Sequence, residues 1–233
     1  MRPLVLLIVA ILSLISAPTK AAAQSEEYII VSGGVSLHQW EKYKAQPHDG
    51  WWMNFIRAAR LRIQELQAQR GADYPITWFV FSDAYRTRSK QENADLMSNI
   101  VSVRDAYGVK LVFFDQTSEL ISYLNNGKPR SQVKISGFEY FGHSNKACFM
   151  FDYSNNIDSA SKVWLHEKDL GQIKRGIFAK NALVKSWGCH TGESMSKKWG
   201  SATGVRMIGA IGKTQYRTEE LPFTSSPNGR WVQ

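Results

Sequence analysis

The chain has 233 residues, with 29 Lys+Arg against 20 Asp+Glu for a formal charge of +9, and only two cysteines. Its basic residues are dispersed, Lys174-Arg175 and Lys197-Lys198 being the densest pairs, so the cationic run that tracks a phosphate backbone is missing and nucleic acid is not the expected partner. Beyond residue 24 every apolar run is broken by charge within about ten residues, which excludes a helix spanning a bilayer in the body of the chain.

Residues 1–23 read as a cleavable secretory signal peptide: a positive start at Met1-Arg2, an apolar run over 4–15, and Ala21-Ala22-Ala23 ahead of Gln24. Export to a bacterial periplasm or beyond follows, with no stable membrane insertion after cleavage. The mature chain carries 27 basic and 20 acidic residues, a charge of +7.

Residues 28–31 form a short β-rich run that leaves into Ser32-Gly33-Gly34. A helix then follows Asp49-Gly50, because Trp51, Trp52, Phe55, Ile56, Ala59, Ile63 and Leu66 recur at three- and four-residue steps up to Arg70-Gly71. Further strands are expected over 76–81, 109–114, 133–141, 182–187 and 205–211, with a hairpin strand over 148–153. Helices are expected over 86–107, 117–124, 166–173 and 194–199. Six core strands alternating with helices predict a single three-layer α/β domain over 24–233, built on a mostly parallel six-stranded sheet. About 210 residues suffice for its core.

Ligands of such sheets sit beyond the carboxyl ends of the strands. There the fourth strand delivers His143 and the fifth delivers Cys189, each directly after a glycine. If the two strands are neighbours, an imidazole and a thiol share one rim. Cys189 precedes an expected helix, whose unpaired N–H groups favour the thiolate that attacks a carbonyl. His143 would polarise that carbonyl or protonate the leaving amine, with backbone N–H groups of Ser144 and Cys189 holding the oxyanion in a region shaped by Gly142, Ser144 and Gly188. The chemistry is acyl transfer.

The blocks Tyr140-Phe141-Gly142-His143-Ser144 and Lys185-Ser186-Trp187-Gly188-Cys189-His190-Thr191-Gly192 resemble the caspase, legumain and gingipain group of cysteine peptidases. In that group a histidine after one core strand and a cysteine after the next form a dyad. The histidine there usually precedes a glycine, a place taken here by Ser144, and the cysteine often follows an alanine or glycine, matched by Gly188. The resemblance implies a caspase-like fold, a peptide or protein substrate, no cofactor and no metal. It also implies a substrate pocket lined by Thr214, Gln215 and Tyr216, since the loop after the next strand borders that pocket in caspase-like enzymes.

Other readings compete. In an oxidising compartment Cys148 and Cys189 could form a disulfide, which would silence the dyad and leave a secreted binding domain. His143, Cys189 and His190 offer three zinc-type ligands, although an extended chain aims adjacent side chains apart. Gly142-His143-Ser144 begins like a serine-hydrolase elbow, but Lys146 stands where its second glycine belongs. Gly212-Lys213-Thr214 fails as a phosphate loop because Met207 occupies the required glycine position. His38, His48 and His166 read as ordinary surface or loop residues, His48 beside Asp49 being the one of them that could reach the rim, and Trp51, Trp52, Trp187 and Trp199 as core.

Overall fold

The structure, a computed structural model, describes residues 25–36, 53–153, 161–217 and 219–233. The expected signal peptide and residues His38, His48, Trp51 and Trp52 lie outside them.

Strands β1 (Ser25–Ser32), β2 (Ile76–Phe81), β3 (Lys110–Phe114), β4 (Val133–Phe141), β8 (Phe178–Ser186), β9 (Met207–Ile211) and β12 (Arg230–Val232) form one sheet in the order β12-β9-β8-β4-β1-β2-β3. All six expected strands are present and pair in parallel. The expected count of six is corrected to seven by β12, which runs antiparallel to β9 at one edge. Three residues are too short to show a period. The remaining short strands are β5 (His143–Ser144), β6 (Cys148–Asp152) and β7 (Val163–His166), joined in an antiparallel sheet, and β10 (Thr214–Gln215) paired with β11 (Phe223–Thr224).

Consecutive residues of β1 and β2 are buried, as a parallel sheet covered on both faces requires. Tyr28 and Ile30 face one core with Trp78 and Val80, under α1 (Asn54–Arg70) and α3 (Leu96–Tyr107). Ile29 and Val31 face the other, with Phe138 and Tyr140, under α4 (Thr117–Asn126) and α5 (Met195–Thr203). This gives the three layers. The helix expected over 86–107 is two helices: α2 (Ser82–Glu92) ends at Asn93, whose φ is +49°, and Asp95 caps α3 by accepting from Ser98 N–H at 3.0 Å. The helix expected over 166–173 is instead the end of β7 followed by a 3₁₀ helix (Glu167–Gln172). Among the described residues no helix is long and apolar enough to cross a membrane.

The chain winds outward from β1 through β2 to β3, then crosses to β4, β8 and β9 on the other side. The strand order therefore reverses between β1 and β4, the topological position at which open α/β sheets bind ligands.

Candidate active site

Strands β4 and β8 are parallel neighbours, with Gly137 opposite Leu183 and Tyr140 opposite Ser186. Trp187 N–H extends the pairing by donating to Tyr140 O at 2.8 Å. Beyond the strand ends the Ser144 hydroxyl reaches Cys189 O at 2.7 Å, so the turns that carry His143 and Cys189 meet on the same stretch of rim.

His143 opens β5 and is half-buried. Its ring stacks on Tyr153 with centroids 4.4 Å apart and meets Phe55 of α1 edge-on at 5.1 Å. The preceding turn is held by Tyr140, whose hydroxyl donates to His143 O at 2.6 Å. Burial pushes that phenol well above its ordinary range, so it stays protonated and able to donate. Gly142 is required here because a Cβ would stand 2.4 Å from the Tyr140 oxygen.

Cys189 is a half-buried free thiol. Thr214 N–H points at its Sγ across 3.3 Å, and the Thr214 hydroxyl, 3.6 Å from the sulfur, donates to Trp187 O at 2.8 Å. The expected activation by a helix N-terminus is corrected: α5 begins at Met195 after the turns of residues 188–194, and helix-end fields fade within a turn. The backbone donor at Thr214 takes that place.

The loop after Cys189 is fastened to the one after β9. His190, with φ of +63°, donates its N–H to Gly212 O at 2.8 Å. Its Nδ1 lies 2.6 Å from Glu193 Oε1, which also accepts from Gly212 N–H at 3.1 Å. The His190 hydrogen bond is the main influence holding the Glu193 carboxyl below its ordinary range. No sequence pattern links Glu193 to Gly212; only its three-residue spacing from His190 was visible in advance.

The other expected site residues take distinct places. Gly142 N–H donates to the Tyr216 hydroxyl at 3.1 Å and Gly188 N–H to Ser186 Oγ at 3.3 Å, so neither is directed to an oxyanion. Ser144 Oγ donates to Cys189 O at 2.7 Å. Because Asn145 N–H donates to Cys148 O, the next pair of the β5–β6 ladder, Ser144–Phe149, is the non-bonded one, and the Ser144 N–H faces away from β6. Thr214 and Tyr216 border the site, whereas Gln215 is exposed and paired with Phe223.

Cys148 sits in β6 with its thiol donating to Asn145 Oδ1 at 3.3 Å, and burial pushes that thiol up. Both cysteines are free, so the Cys148–Cys189 disulfide is not formed. The zinc reading fails because the His190 ring turns to Glu193, and among the described residues no three His, Cys, Asp or Glu side chains converge. Ser144, the serine of the elbow reading, is engaged as a donor to a carbonyl.

Under the rim lies a buried carboxylate that sequence reasoning missed. Glu139 of β4 accepts from Trp187 Nε1 at 2.6 Å, from Arg62 Nε of α1 at 2.5 Å and from the Tyr28 hydroxyl. It fixes the indole two residues before Cys189, and Trp187 O in turn receives the Thr214 hydroxyl.

No family model matches the chain, and no curated protein or solved structure matches it.

Proposed function

We propose that the chain is an exported cysteine peptidase or related amide hydrolase with a caspase-like arrangement of its dyad. The observation that supports this reading is the adjacency of β4 and β8, whose following turns carry His143 and Cys189 and touch through the Ser144 hydroxyl and Cys189 O. The Cys189 thiolate attacks the amide carbon, and the C–N bond breaks as His143 gives a proton to the departing amine. The thioester left on Cys189 is then hydrolysed by water that His143 deprotonates, which restores the thiol and releases the carboxylic acid. Thr214 N–H supports the sulfur while it carries negative charge. The N–H groups of Ser144 and Cys189 remain the donors for the oxyanion. Acyl transfer of this kind needs no cofactor, and the substrate is a peptide or protein.

The test is hydrolysis of a mixed-sequence peptide library followed by mass spectrometry. Cys189→Ala and His143→Ala are each expected to abolish cleavage while the near-ultraviolet circular dichroism stays native. Full activity in either variant would end the dyad assignment. Export is tested separately by N-terminal sequencing of the secreted product, which is expected to begin at Gln24.

A further inference from the structure

We infer that Ser144 is a positioning residue for the nucleophile, an inference that rests on the Cys189–His143 reading above. The peptide group joining Cys189 to His190 is gripped at both ends. Its carbonyl accepts from Ser144 Oγ at 2.7 Å and its N–H donates to Gly212 O at 2.8 Å. Because a peptide group is planar, pinning both ends fixes the rotations on either side of it, ψ of Cys189 and φ of His190. The latter stands at +63°, a value uncommon for a side chain with a Cβ. The Cys189 Cα is thereby oriented so that Sγ meets Thr214 N–H, which belongs to the same loop as Gly212.

The grip also ties the two halves of the dyad together. Ser144 directly follows His143 in β5, and successive side chains of a strand leave opposite faces. Ser144 shares its face with the buried Phe149 and Leu165, and its hydroxyl reaches the Cys189 backbone. His143 points to the other face, with Met150 and Trp164. One hydrogen bond thus sets the spacing between the histidine turn and the cysteine turn.

Gly188 completes the fit. A Cβ at this position would lie 2.1 Å from Ser144 Oγ and 2.9 Å from Gly142 O. A hydroxyl at 144 and the lack of a side chain at 188 are a matched pair.

Two readouts test the role: the rate at which iodoacetamide alkylates Cys189, followed by peptide mapping, and kcat against KM on the best library peptide. Ser144→Ala is expected to slow alkylation and lower kcat by about tenfold each, the scale of one hydrogen bond, with KM unchanged and the melting temperature lowered by only about 2–4 °C. Ser144→Thr, which keeps the hydroxyl, is expected to restore both rates to within threefold of the native protein. A Ser144→Ala protein within twofold of native on both readouts overturns the proposal, as does a Ser144→Thr protein as slow as the alanine variant. Should Ser144→Ala not fold, Gly188→Ala displaces the hydroxyl instead and is expected to slow both rates at least as much, with a lower melting temperature because its Cβ also meets Gly142 O. If the native protein cleaves no peptide, the peptidase reading fails by itself, while the alkylation rates still decide whether Ser144 governs the thiol.

Discussion

Glu27 and Glu139 are both wholly buried carboxylates on neighbouring strands, and each is paired with an arginine and a tyrosine. Their reach differs. Glu27, near the amino end of β1, accepts from Arg130 at 2.7 Å, Thr77 at 2.6 Å and Tyr123 at 2.7 Å, with Lys128 3.5 Å away. Those partners lie on β2, on α4 and in the loop behind α4, so the cluster closes the end of the sheet remote from His143 and Cys189. Glu139 binds α1 through Arg62 and the rim through Trp187, whose carbonyl takes the hydroxyl of the threonine that faces Cys189. The same chemistry serves the fold alone in one place and the site as well in the other.

The sharpest way to break this comparison is Glu27→Ala, which strands Arg130 in the interior. It is expected to cost about 3–5 kcal/mol of stability, as loss of one partner of a buried ion pair does. Iodoacetamide labelling of Cys189 in the folded fraction is expected to stay at the native rate. The acid limb of the native protein carries the same signature. Burial alone would raise the Glu27 carboxyl, but hydrogen bonds from Thr77, Arg130 and Tyr123 hold it below its ordinary range. Its contribution is therefore present above the unfolded carboxylate value and lost as pH falls through the lower folded one. Melting curves between pH 5 and 2 are expected to converge for native and Glu27→Ala proteins.

Glu139→Gln is the counterpart, with a smaller expected cost of about 2–3 kcal/mol because the amide oxygen still accepts from Trp187 while the charge facing Arg62 is gone. Labelling of Cys189 is expected to slow severalfold. If Glu27→Ala and Glu139→Gln slow it equally, the division between a fold cluster and a site cluster is wrong. Thr214→Val isolates the last link, since it removes the hydroxyl bonded to Trp187 O and leaves the N–H on the sulfur. About 1 kcal/mol of stability and a two- to threefold loss in labelling rate are expected. Denaturant melts and peptide mapping read both.

Strands β4 and β8 were legible because residues 133–142 and 182–188 are rich in apolar and aromatic residues and each closes on a glycine, although Lys134, Glu139 and Lys185 interrupt them. Edge strand β12 was not, since Arg230–Val232 is too short to bury a pattern of its own. The break between α2 and α3 escaped because Asn93 and Asp95 act through a left-handed turn and a cap inside an otherwise helical stretch. At the candidate site, residue types at strand ends pointed to His143 and Cys189, while Thr214 came only from the resemblance, as a pocket residue. The bonds around them join residues 25 to 48 positions apart: Thr214 N–H to Cys189, Ser144 to Cys189, Trp187 to Glu139. No local spacing encodes such pairs; only the strand order brings them together.

Lys185 gives the smallest and most conditional effect. Its ammonium lies 3.3 Å from the centroid of the Trp187 ring and 4.1 Å from that of Trp231, bridging β8 to edge strand β12. Burial pulls it down to about 8, against the attraction of Glu139. An unfolded chain keeps that proton to about 10.4. Between these values the unfolded state binds more protons than the folded one, so stability from this group rises with pH across the window and is lowest below about 8. Lys185→Met keeps the contact with the indoles and removes the titration. The native melting temperature is expected to climb relative to that of Lys185→Met as pH goes from 8 to 10, whatever the offset from the lost cation–π contacts at pH 7. Parallel curves across that range would mean that the two tryptophans hold the charge well enough to cancel its burial, and that Lys185 helps Glu139 to anchor Trp187.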